Sequence, residues 1–148
     1  YKVLPPYIKD LSKIDLKNYQ TTFETPVQSC ITYPKDKEVI NKNEKEFVIN
    51  GYAYSGGGRN ILRVDISLDD GKTWQQADIK DGNQQEFNRA WAWCLWELKV
   101  DLNKYNNNLK IICRATDNSF NTQPEKSENV WNLRGINNNS WHKIKIKL

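Results

Sequence analysis

Apolar and polar residues alternate along much of this chain. Leu62, Val64, Ile66 and Leu68 fall on one side of a strand, and Arg63, Asp65 and Ser67 on the other. That is the pattern of a sheet with one buried face. The same alternation returns at residues 109–116, where Leu109, Ile111, Cys113 and Ala115 share a face. It returns again at residues 141–148, with Ile144, Ile146 and Leu148 opposite Lys143, Lys145 and Lys147. Residues 87–100 form the most apolar run (Ala90-Trp91-Ala92-Trp93-Cys94-Leu95-Trp96). Its even positions stay apolar throughout and its odd ones only as far as Leu95. The pattern predicts a central strand, buried on both faces in its first half and on one in the rest.

The punctuation between these runs suits strands. Residues 46–54 lead through Tyr52 and Tyr54 into Gly56-Gly57-Gly58-Arg59, and glycine lets backbone turn at positive φ or approach a neighbour closely. Asp69-Asp70-Gly71 supplies a turn, with a return strand expected at 74–79. Residues 27–32 form a short strand ended by Pro34. Residues 35–45, 80–85 and 101–108 read as polar turns or loops, and 117–129 as a loop or edge. No helical period is sustained. About seven short strands joined by turns predict an all-β, immunoglobulin-like antiparallel sandwich. Residues 1–24, with Pro5-Pro6 and scattered charge, read as a lead-in, and 25–148 as the domain. Lysines on the last strand suit an edge.

Composition narrows the function classes. A chain of 148 residues, 38% apolar, sustains one core. A net charge of +4 without a dense basic patch argues against nucleic acid. No stretch approaches the roughly 20 apolar residues of a membrane helix. The chain contains no Met and is expected to be part of something larger. Cys30, Cys94 and Cys113 are widely spaced and only His142 is present, so no metal motif is visible. Cys94 and Cys113 read as buried thiols, a bridge between them being the alternative.

Candidate chemistry is sparse. Asp69 and Asp70 are turn formers beside a glycine. His142 has no nucleophile or acid near it in sequence. The six tryptophans are candidates for a sugar platform, but packing accounts for at least four. Arg59 and Arg134 stand beside glycines, in loops where a planar guanidinium can reach an oxyanion or a partner.

Five segments carry a resemblance: GYAYSGGGR (51–59), VDISLDDGKTW (64–74), AWAWCLWEL (90–98), NTQPE (121–125) and VWNLRGINNNSW (130–141). Together they resemble the C-terminal dimerisation domain of the sulfite oxidase and assimilatory nitrate reductase family, over roughly residues 24–148. The resemblance implies an immunoglobulin-like sandwich, a homodimer, and a separate preceding domain that holds a molybdenum–pterin cofactor. No cysteine here matches a cofactor ligand. Sulfite oxidases carry arginine in the Trp-Asn-Leu-Arg-Gly motif, where plant-type nitrate reductases tend to have methionine, so Arg134 implies a place in a sulfite pocket. Pro26-Val27-Gln28-Ser29 points the same way, whereas DDGKTW and NTQPE look slightly more like nitrate reductase. The implied activity is oxidation of sulfite to sulfate, with electrons passing to a cytochrome or oxygen. Docking on the cofactor domain is assigned to Gly56, Gly57, Gly58, Arg59 and Arg63. The implied setting is intracellular: the mitochondrial intermembrane space if animal-like, peroxisomal if plant-like. A carbohydrate-binding module and a purely assembling domain remain as rival classes.

Overall fold

The alternating runs assemble as two antiparallel sheets in a computed structural model that describes residues 1–41, 46–82, 84–105 and 108–148. The strands are β1 (Gln28–Tyr33), β2 (Phe47–Tyr54), β3 (Ile61–Ser67), β4 (Gln75–Gln76), β5 (Asp78–Asp81), β6 (Cys94–Val100), β7 (Leu109–Asp117) and β8 (His142–Ile146). One sheet runs β1-β2-β6-β5 and the other β4-β3-β7-β8. The expected all-β sandwich is therefore present, and no α-helix occurs among the described residues. Residues 42–45, 83, 106 and 107, which fall in the three loops expected at 35–45, 80–85 and 101–108, lie outside the described residues.

The core lies between the layers. Phe47, Ile49, Ala53, Cys94, Trp96 and Val100 from one sheet meet Val64, Ile66, Ile111, Cys113, Ala115, Ile144 and Ile146 from the other. The largest of these, Trp96, stands opposite Gly51 in the β2–β6 ladder. A Cβ on Gly51 would lie 2.1 Å from Trp96 Cζ2 and 2.2 Å from the Cys30 carbonyl. Glycine is needed there because the indole occupies the space a side chain would take.

Four details depart from the sequence reading. The return strand divides: Gln75–Gln76 pairs with β3, then the chain crosses at Ala77 and Asp78–Asp81 pairs with β6 in the other sheet. This raises the strand number to eight. The run at 87–100 becomes a strand only at Cys94, and its first half is loop. Trp91 and Trp93 are 65% and 56% exposed there rather than buried. That half pairs with no strand, and of its apolar residues only Ala90 is buried. A register shift between Ile61 and Arg63 turns Leu62 outward, so it leaves the buried face assigned to it. The edge of β8 is protected less by its lysines than by covering backbone. Lys37 and Ile40 N–H donate to the carbonyls of Lys145 and Lys147, and Lys147 N–H donates to Glu38.

The turn after β3 matches its reading. Asp70 (φ +64°) and Gly71 (φ +89°) are left-handed. Asp69 accepts from Lys72 N–H, Thr73 N–H, Thr73 Oγ1 and Ser67 Oγ. These bonds, led by Thr73, hold its carboxyl down to about 2.

Candidate functional site

Arg134 occupies the tip of a turn that Asn132 builds. Asn132 Oδ1 accepts from Arg134 N–H (3.3 Å) and Ile136 N–H (3.1 Å), its Nδ2 donates to the Ile136 carbonyl (2.8 Å), and Gly135 N–H donates to the Asn132 carbonyl (3.0 Å). Gly135 and Asn137 take left-handed φ of +62° and +59°, which closes the loop. The Arg134 side chain is exposed and has no ion-pair partner among the described residues. An unpaired cation on a braced turn is suited to an anion, because none of its attraction is spent on a neighbouring carboxylate.

Asn132 and Ile136, on either side of Arg134, line an open cavity of about 820 Å³ with Leu4, Val27, Arg59 and Trp131. The lead-in forms the cavity's other wall. It folds back on itself, Val3 N–H donating to Gln20 and Thr22 N–H to Tyr1, and buries Leu4 and Ile8. Lys9 Nζ sits 3.6 Å above the Trp131 ring.

Arg59 faces the same cavity, but its guanidinium is engaged within the chain. Nη2 lies 2.9 Å from Glu24 Oε2 and Nε 3.2 Å from Asp117 Oδ2, the second contact being too oblique for a hydrogen bond. Asp117 is fully buried. Burial alone would raise its carboxyl, yet bonds from Asn121, Ser55 and Ser119 hold it below the ordinary range. The glycine run packs on the same cluster. A Cβ on Gly56 would meet Thr25 backbone at 2.5 Å, and one on Gly58 the Asn88 carbonyl at 2.5 Å. Gly57, at the apex, is exposed with φ +69°.

Arg63 lies on the outward face of the second sheet, paired with the buried Asp65. The other oxygen of Asp65 is 3.4 Å from Arg114 Nε, and Arg114 stacks 3.9 Å over Trp74, itself 5.0 Å from Trp141. Gly56–Gly58 and Arg59 are thus gathered at one end with the Arg134 turn nearby, while Arg63 belongs to a separate stack. Sequence reasoning passed over Asp117, Glu24 and Asn132, whose roles arise from contacts distant along the chain. Of the tryptophans, Trp96 alone is fully buried, Trp74 and Trp141 pack on each other, and Trp91, Trp93 and Trp131 are exposed. Fewer than the four expected therefore serve packing.

The residues present do not fit a molybdenum–pterin group. No cluster of His, Cys, Asp and Glu among the described residues is able to hold a metal. The cysteines are free. Burial pushes the Cys30 and Cys94 thiols up and that of Cys113 to about 12, the reverse of a metal-binding thiolate.

Fold and turn together define a two-layer antiparallel β-sandwich that presents an arginine on a braced loop. Residues 19–148 match the Mo-co oxidoreductase dimerisation domain, and the chain belongs to that family. It is 43% identical to human mitochondrial sulfite oxidase over 99% of its length, covering 26% of that protein. It is 37% identical to the sulfite oxidase of Arabidopsis thaliana over 100%, covering 38% of it. It is 33% identical to the NADH nitrate reductase of Solanum lycopersicum over 99%, covering 17% of it. Among solved structures, the sulfane dehydrogenase SoxCD of Paracoccus pantotrophus superposes with a TM-score of 0.67 at 31% identity, covering 83% of this chain and 30% of that one. The chain spans roughly a quarter of the length of the mammalian relatives it matches.

Proposed function

We propose that this chain is the dimerisation domain of a molybdenum-dependent sulfite oxidase and lends Arg134 to the oxyanion pocket. The observation that carries this reading is the exposed, unpaired Arg134 on its Asn132-braced turn, within the Trp-Asn-Leu-Arg-Gly segment. Sulfite and sulfate are compact oxyanions, which a fixed guanidinium holds by charge-assisted hydrogen bonds. In the reaction sulfite takes an oxygen from water, releasing two protons, and the two electrons pass to a cytochrome or to oxygen. The molybdenum–pterin cofactor that supplies this chemistry belongs to a preceding domain. Of the residues assigned to docking, Gly57 and Arg59 are placed to meet that domain; Gly56 and Gly58, buried on Thr25 and Asn88, shape the loop, and Arg63 lies apart on the second sheet. Glu24 and Asp117 hold Arg59 in place for this task. The domain spans residues 25–148 with 1–24 as its lead-in, the assembly is a homodimer, and the setting is mitochondrial if the protein is animal-like.

The second reading, an assimilatory nitrate reductase, is favoured by the Solanum relative at 33% identity. Molybdenum content and turnover of the full-length protein with sulfite and with nitrate separate the two. Arg134→Met should then raise KM for sulfite, by the roughly 1.5–3 kcal/mol of a hydrogen bond to a charged group. An unchanged KM removes Arg134 from the pocket.

A further inference from the structure

A single buried amide closes the neck of the loop that carries Arg134. Residues 125–140 run out from the sandwich and back. At the neck Trp141 N–H donates to the Pro124 carbonyl (2.9 Å) and Trp141 Nε1 to that of Gln123 (2.8 Å). Such a loop, with its ends close together, is of the Ω type.

Gln123, 3% exposed, sits in that neck. Its Oε1 accepts from Ser29 Oγ (2.7 Å) and Ala115 N–H (2.8 Å), and its Nε2 donates to the carbonyls of Asn139 (2.9 Å) and Ser140 (3.5 Å). Two acceptor sites and two donors are the whole capacity of a side-chain amide, so Gln123 is saturated. Its orientation is fixed as well, because a backbone N–H only donates and a carbonyl only accepts. The oxygen therefore faces β1 and β7, one strand from each sheet, and the nitrogen faces the returning limb of the loop. Asn139, also buried, adds a second tie, its Nδ2 donating to the Val27 carbonyl (2.9 Å).

We propose that Gln123 is a positioning residue for the oxyanion pocket, holding the Arg134 loop at its place on the sandwich. This rests on the reading of Arg134 as an oxyanion contact and adds the residue that aims it. Asn132 fixes the shape of the turn, whereas the ties at the neck fix where the turn stands. A guanidinium on a drifting loop binds only while it is in place, and the apparent affinity falls by that fraction.

The test changes one atom. Gln123→Glu keeps an oxygen for Ser29 and Ala115 but sets a second oxygen against the carbonyls of Asn139 and Ser140. In the full-length protein KM for sulfite should rise about fivefold, as for a lost hydrogen bond, with kcat held within about twofold. Hydrogen exchange should quicken at residues 132–140 and stay unchanged across β7. In the Arg134→Met background the same change should move KM by less than about twofold, since the group it positions is gone. An unchanged KM in Gln123→Glu overturns the proposal and leaves Arg134 in the pocket. An equal rise in both backgrounds, or faster exchange in β7 as well, also overturns it, because Gln123 then serves the fold alone. If Arg134→Met itself leaves KM unchanged, the oxyanion reading fails and the positioning role with it. If the glutamate variant does not fold, Gln123→Met, uncharged and similar in length, decides by the same comparison of KM in the two backgrounds.

Discussion

His142 accepts a hydrogen bond at Nδ1 from the backbone N–H of Ile31, 3.1 Å away. The bond ties the edge strand of one sheet to the edge strand of the other. It requires a ring nitrogen without a proton, so the sandwich favours neutral histidine.

Burial lowers the His142 pKa below its ordinary 6.5, partly opposed by Asp36. Above pH 6.5 the ring is neutral folded or unfolded and contributes nothing to the pH dependence. As pH falls through 6.5 the unfolded chain takes up the proton first, so stability drops until the folded-state pKa is passed. Thermal melts at pH 7.5 and 5.5 should show a lower Tm at the acid end. The drop should be smaller in His142→Gln, and an equal drop in both would clear His142.

Gly51→Ala should lower Tm sharply. The new methyl would meet Trp96 and the Cys30 carbonyl at about 2 Å, and overpacking of this kind costs about 1–3 kcal/mol or more. A chemical denaturation curve matching wild type would refute the fit of the indole over the glycine.

Asp117→Ala removes an acceptor of bonds from Ser55 Oγ (2.8 Å), Ser119 N–H (2.9 Å), Asn121 N–H and Asn121 Nδ2 (both 3.0 Å). It also strips Arg59 of its buried counter-charge. The expected loss is about 3–5 kcal/mol, as for breaking other buried pairs, read from urea unfolding. Glu24→Gln, at the exposed end of the same arginine, should cost under about 1 kcal/mol.

Cys94 and Cys113 should resist iodoacetamide in the native protein at pH 8, being buried with raised pKa values. All three cysteines should be alkylated without reductant once the chain is denatured. Mass spectrometry counts the adducts, and a missing pair would restore a Cys94–Cys113 bridge.

Legibility in the sequence followed the range of the contacts. Period-two alternation located β7 and β8, and β3 apart from Leu62, because one set of alternate positions in each is buried. It failed at residues 87–93, where apolar character arises from exposed tryptophans and not from core. It failed at Ala77 too, since alternation cannot tell a strand that stays in its sheet from one that changes sheet. Arg134 stood out beside its glycine, but Asn132 as the brace of its turn did not. The partnership of Arg59 with Glu24 and Asp117 spans 35 and 58 positions of chain, and no local spacing signals it.

The crossing at Ala77 gives the sandwich a mechanical seam. Gln76 is knitted to Asp65 in one layer and Asp78 to Glu97 in the other. At this edge, peeling the layers apart pulls on one buried alanine. A flexible insertion at that corner should slacken one edge of the sandwich, while the shared core and the His142–Ile31 bond still join the two sheets.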